Sequence, residues 1–112
     1  MEGRIEVKHD SKWGTICQNG CTVKNANVVC KMLGFQKALV SKSFGNGRGK
    51  IWLDDVSCMG NEESIDKCCH PGWGNHNCNH DQDVGVICLP NGKVCILKMV
   101  LTIYKLIVTK HD

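Results

Sequence analysis

The 112-residue chain predicts a small α+β domain stapled by disulfides, and three observations carry that prediction. The first is cysteine density: residues 51–88, IWLDDVSCMGNEESIDKCCHPGWGNHNCNHDQDVGVIC, hold five of the nine cysteines, two of the three tryptophans and three of the five histidines. The second is a strand-type alternation near the start of the chain, and the third is a helical period that begins at Thr22. A single domain of this length buries about two thirds of its unfolded surface. With only 5% aromatic residues the core lacks large side chains, so cross-links worth about 2–4 kcal/mol each matter to its stability. Cysteines at this density are either a disulfide framework or metal ligands, and an oxidising, extracellular compartment favours the framework.

Taken in order, Met1 leads straight into the charged run EGRIEVKHD with no apolar signal core, so the extracellular reading implies a fragment or an incomplete gene model. Residues 4–8 alternate, with Ile5 and Val7 on one face and Arg4, Glu6 and Lys8 on the other. WGTIC, ending at Cys17, forms the next strand, and Asp10 and Ser11 supply the hairpin turn between the two. From Thr22, a plausible N-cap, Ala26, Val29, Cys30 and Leu33 fall at i, i+3, i+4 and i+7, and Gly34 follows at the left-handed stop position. This helix turns Cys30 into the core, as a buried half-cystine rather than a reactive thiol. A short ALV strand, a glycine-rich loop over 44–50, the strand IWLDDV, a short helix over 62–68 and a closing strand over 84–88 complete the domain.

The GNGRGK loop is not a phosphate cradle, because three rather than four residues separate Gly45 from Gly49 and Ile51 follows Lys50 where Ser or Thr is required. The formal charge of +3 with interspersed signs excludes the clustered basic stripe of a nucleic-acid binder. Cys68, Cys69, His70, His76, Cys78 and His80 contain zinc-type donors but no C-x₂-C pair. Cys69 beside His70 is the one nucleophile and base candidate, and neighbouring residues rarely face each other, so no enzyme activity is expected. The tail over 94–108, VCILKMVLTIYKLIV, is too short and too charged to span a bilayer. It reads as an interfacial amphipathic helix, an extra strand, or sequence carried past the domain end.

The blocks GRIEVKHDSKWGTIC, ANVVCKMLGF, GKIWLDDVSCMGNEESIDKC, GWGNHNCNH and DVGVIC, in that order and spacing, resemble the scavenger receptor cysteine-rich domain over residues 3–88. The resemblance implies a curved antiparallel sheet of six strands cradling one main helix. It divides the chain into a domain at 1–88 and a tail of uncertain structure at 89–112. Cysteines are missing near Glu2 and at Phe35, which places the chain in the six-cysteine group and implies the pairs Cys17–Cys78, Cys30–Cys88 and Cys58–Cys68. Cys21, Cys69 and Cys95 are left over: a Cys21–Cys69 bridge is open geometrically if the first pair forms, and Cys95 is the odd thiol. The family pattern also begins one strand earlier, so an edge ahead of EGRIEV is left for the apolar tail to cover.

By resemblance the function is extracellular recognition of polyanionic, microbial or protein ligands, often assisted by calcium, in a module commonly repeated in larger receptors. The other class is a structural spacer in a multidomain ectodomain. Nucleic acid is not a physiological target on this reading, and a membrane is reached only through a parent segment. Arg4, Lys8 and Lys12 form the candidate ligand patch. Of two calcium positions in the family pattern, one maps to Gln18, Asn19 and Gln82, where amides stand for carboxylates. The other maps to Asp54, Asp55 and Asn77, all retained, so at most one calcium per domain is expected.

Overall fold

A computed structural model describes residues 2–89 and 106–109. The chain opens with a hairpin of β1 (Glu2–His9) and β2 (Lys12–Ile16), in antiparallel register with Glu6 opposite Thr15 and Lys8 opposite Trp13. Asp10 and Ser11 both take left-handed backbone angles, φ 52° and 63°, which closes the two-residue turn. Helix α1 (Val23–Met32) follows. Thr22 caps it by accepting from the Lys24 amide, and Gly34 ends it at φ 92°. Ala26, Val29 and Cys30 are buried as the period requires, and Asn25 and Val28 join them, widening the buried face.

Strands β3 (Lys37–Lys42), β4 (Lys50–Leu53), β5 (Gly85–Leu89) and β6 (Leu106–Thr109) complete a six-stranded sheet. Its order is β3-β5-β1-β2-β4, with β6 alongside β1. The sheet is mixed rather than antiparallel throughout: β2 pairs β4 in parallel, and β1 pairs β6 in parallel. The reason lies in the connections. A helix, a strand and a long loop separate β2 from β4, enough chain to bring β4 back in the same direction. Backbone pairing divides one edge of β1, with β5 along Glu2–Arg4 and β6 along Ile5–Lys8. The strand reading of the tail therefore holds at 106–109, while its remainder, with Cys95, lies outside the described residues.

The core sits between the sheet and α1, centred on Ile5, Val7, Val28, Val29, Leu53, Val56, Val84 and Val86, each at most 2% exposed. Three disulfides fasten it: Cys17–Cys78, Cys30–Cys88 and Cys58–Cys68. Gly14 lies under Trp52, and a Cβ there would overlap the indole. Trp52 donates its Nε1 proton to the Lys12 carbonyl at 2.9 Å, so the buried ring is also a polar tie between β4 and the hairpin. Two expected elements are shorter than predicted. IWLDDV is a strand only to Leu53, and the segment over 62–68 holds a single 3-10 turn at Ile65–Lys67.

Candidate functional site

β4 stops at Leu53 because Asp54 turns its carboxylate back on the chain, Oδ1 accepting from the Asp55 amide at 2.8 Å. Asp55 then adopts φ 50°, a left-handed conformation that aspartate tolerates better than most residues. The following segment is held down by the buried Asn25 of α1, whose amide donates to the Val56 carbonyl at 2.6 Å and accepts from the Cys58 amide at 3.0 Å. From the other side, the Cys17–Cys78 disulfide anchors Asn77 through its neighbour. The adjacent Asp54 and Asp55 and, 22 residues beyond Asp55, Asn77 thus line one recess of about 250 Å³ together with Pro71, Asn75 and His76. Asp54 is 3% exposed at its floor, whereas Asp55 and Asn77 are exposed at the rim. Two carboxylates and two amide side chains are oxygen donors, the set a hard divalent cation requires, and the open rim leaves places for water or ligand oxygens. These residues fit calcium.

The second mapped position is built differently. The Gln82 amide donates to Asn19 Oδ1 at 3.5 Å, and its oxygen accepts from the Asn79 amide at 3.0 Å, closing a capping box. Gln18 is tied by its backbone, which donates to the Gln82 carbonyl at 2.7 Å. Amides carry donors as well as acceptors, so Gln82 and Asn19 hold each other directly. Three carboxylates here would repel one another without an ion between them.

In the candidate ligand patch, Arg4 is paired with an acid of its own strand. Arg4 is not a free surface cation: its Nε and guanidinium nitrogens donate to Glu6 Oε2 at 3.1 and 3.0 Å, and Glu6 is 6% exposed. The face expected to be open on β1 is covered by the loop between β3 and β4, and Arg4, Glu6, Trp13, Asn46, Gly47 and Arg48 line one recess of about 250 Å³. Lys8 remains at the surface with its ammonium 5.9 Å from the Trp13 ring centroid, and Lys12 is exposed. Arg48, exposed on the covering loop, lines the same recess as Arg4 and Trp13.

Cys21 and Cys69 are not joined to each other, which corrects that sequence expectation. Cys69 forms a bridge of two backbone hydrogen bonds with Ser57, and in extended backbone the buried Cys68 turns inward to Cys58 while Cys69 turns outward. Cys21 instead packs at the edge of the core ahead of α1. The His70 ring lies against Trp73, centroids 5.6 Å apart, with Nδ1 accepting from the Gly72 amide. Among the described residues the groups of three metal-type side chains are Cys17, Asp54 and Cys78, and Cys58, Glu62 and Cys68. Both contain a disulfide, whose sulfurs offer no thiolate, and the six zinc-type residues of the sequence do not converge.

One cluster escaped the sequence reading. Asp83, fully buried, accepts from the Thr15 hydroxyl at 2.7 Å and from the Gly47 amide at 2.7 Å, and its Oδ2 lies 2.8 Å from His80 Nδ1. His80 Nε2 lies 2.9 Å from the Gly49 carbonyl. The only trace of this cluster in the sequence is the i, i+3 spacing within HDQD.

The profile of the scavenger receptor cysteine-rich domain matches residues 1–89. Lysyl oxidase homolog 3A of Danio rerio is 54% identical over 90 residues, and lysyl oxidase homolog 4 of Homo sapiens 49% over 92 residues. Those alignments cover 78% and 80% of this chain but only 12% of either relative, so the chain spans a small part of the length of the relatives it matches. Among solved structures, the SRCR domain of mouse MARCO in its dimeric form superposes with a TM-score of 0.76 at 44% identity, covering 80% of this chain and 87% of that one. The third SRCR domain of murine neurotrypsin gives 0.71 at 45% identity, covering 78% and 84%. With three disulfides and one α-helix against a mixed sheet among the described residues, and with these matches, the chain belongs to the scavenger receptor cysteine-rich domain family.

Proposed function

We propose that this domain is an extracellular ligand-binding module that recognises protein or polyanionic surfaces, including microbial ones, with one calcium ion assisting at Asp54, Asp55 and Asn77. The observation that carries the reading is the convergence of those three side chains in one open recess. Calcium there would neutralise two neighbouring carboxylates and present open coordination positions to an anionic group of the partner. The half-buried Lys8 and the exposed Lys12 and Arg48 supply a second, purely electrostatic attraction on the β1/β2 side. Three disulfides in so short a chain support an oxidising compartment. The oxidase named in the relatives is not carried over, because the chain spans 12% of their length.

The test is calorimetric titration of the oxidised domain with calcium, followed by heparin retention with calcium and with chelator. One bound ion, lost in Asp54→Ala, and calcium-dependent retention are expected. A domain that binds neither calcium nor heparin would instead serve as a spacer within a larger ectodomain, a role in keeping with its small share of the relatives it matches.

A further inference from the structure

We propose that His80 is a protonation-operated clasp, which fastens the loop between β3 and β4 to the body of the domain when charged and lets it loosen when neutral. The inference does not depend on the ligand or the calcium proposed above. Both ring nitrogens of His80 face oxygen acceptors: Nδ1 the buried Asp83 carboxylate at 2.8 Å, Nε2 the Gly49 carbonyl at 2.9 Å. Neither acceptor has a proton to offer. A neutral imidazole carries one N–H and one lone pair, so it satisfies one contact and sets a lone pair against an oxygen in the other. Only the imidazolium donates to both.

Which contact yields on deprotonation follows from what else holds each oxygen. Asp83 is fully buried and also receives the Thr15 hydroxyl and the Gly47 amide, and its charge strengthens the His80 bond. The Gly49 carbonyl is neutral and lies on an exposed loop. The Nδ1–H tautomer is therefore kept, and the Gly49 contact is released. Gly47 remains as the loop's other tie, in a space that only glycine fits, since a Cβ there would come within 2.6 Å of Thr15 Cγ2 and 2.9 Å of Asp83 Oδ2. What the clasp controls is the position of Arg48, on the loop, and of Lys50, which borders a recess of about 310 Å³ with Trp52, His76 and His80.

The charged surroundings are mixed. Burial disfavours the imidazolium, and the Arg4 guanidinium on β1 opposes it as well, though Arg4 is paired with Glu6. The bond to Gly49 and the bond and charge of Asp83 outweigh both, so the His80 pKa stands above the ordinary histidine value. Thr15, facing from β2, is uncharged; Lys50 and His76 share the adjoining recess, and Asp81 sits beside His80 in its own turn.

The experiment is an NMR titration of the labelled, oxidised 112-residue chain from pH 5.5 to 8.5. It follows the His80 ring proton, the {¹H}–¹⁵N NOE of Gly47, Arg48 and Gly49, and exchange of the Gly47 amide. We expect His80 to titrate above about pH 6.5, the loop NOE values to fall through the same midpoint, and Gly47 exchange to rise about tenfold beyond its intrinsic pH dependence. In His80→Gln, with core methyl shifts confirming the fold, loop order should be flat with pH and match the high-pH wild type; His76→Ala should keep the transition. A wild-type loop unchanged across the His80 titration, a transition retained in His80→Gln, or one abolished in His76→Ala would each overturn the clasp. The wild-type titration decides the matter even if the Gln variant does not fold.

Discussion

Arg4 closes on Glu6 two residues along the same strand, at 3.0 Å, so the most interior acid of the hairpin is held by a cation that sequence alternation would place in solvent. Glu6 stands opposite Thr15 across the β1/β2 ladder, and the pair share a polar layer beneath the loop between β3 and β4. Arg4→Ala leaves this carboxylate without its guanidinium partner, and because both groups retain some solvent contact we expect a loss of roughly 1–3 kcal/mol of stability rather than the larger cost of a dry pair. Urea unfolding checks this; a change within error would show that water replaces the guanidinium freely.

Retention on heparin should follow the surface cations rather than Arg4. Lys8→Ala, Lys12→Ala and Arg48→Ala combined are expected to abolish retention at 0.15 M salt, and wild-type retention should weaken steeply as salt shortens the screening length below about 8 Å. Circular dichroism establishes that the triple variant remains folded. Undiminished retention in that variant would move the ligand surface elsewhere.

Calcium stoichiometry tests the contrast between carboxylates and amides. The wild type should bind one ion, Asp54→Ala none, and the combined Gln18→Asp, Asn19→Asp and Gln82→Glu variant two, because three added charges supply the attraction that amides lack. Without calcium that variant should also be less stable, since Gln82→Glu keeps the acceptor for the Asn79 amide but loses the Nε2 donor that holds Asn19 in the wild type, and sets like charges in its place. Two ions on the unmodified chain would contradict the assignment.

The disulfides are unequal. Cys30–Cys88 closes 58 residues and Cys58–Cys68 only 10, so chain entropy assigns about 4 and about 3 kcal/mol respectively. Cys30 also sits in the core at 0% exposure, where Cys→Ala adds a packing loss. Denaturant midpoints of the two double-alanine variants should rank accordingly, with Cys30→Ala/Cys88→Ala the less stable.

Glu62 provides an acid-side marker. Its carboxylate accepts from the Met59 and Gly60 amides at 2.8 and 2.9 Å, and these bonds, that to Met59 foremost, hold its pKa below the usual glutamate value. A depressed pKa means the contribution is present above the unfolded value and lost as pH falls through the folded one. The Met59 amide should lose protection on that acid limb, and in Glu62→Gln its protection should no longer vary there. His80 works in the opposite sense: its pKa is raised, so its contribution is complete below the ordinary histidine value and disappears as pH rises through the folded value.

The sequence alone determined what short periods and fixed spacings encode. The EGRIEV and WGTIC alternation made the hairpin, the i, i+3, i+4 pattern after Thr22 made α1, and five ordered blocks named the family with its cysteine framework. That Asp54, Asp55 and Asn77 line one recess was legible too, because their neighbours Leu53 and Cys78 occupy recognisable places in those blocks. Other features waited for the tertiary structure. The burial of Glu6 depends on a loop about 40 residues away in sequence, and the Thr15, Asp83 and His80 cluster joins groups 65 and 68 residues apart. The parallel docking of Leu106–Thr109 on β1 spans still more of the chain. A local pattern reports which face of its own element is apolar; it carries no information about which distant segment will cover the other face, and here that covering loop turned an apparent surface charge into a partly buried pair and gave His80 two acceptors at once.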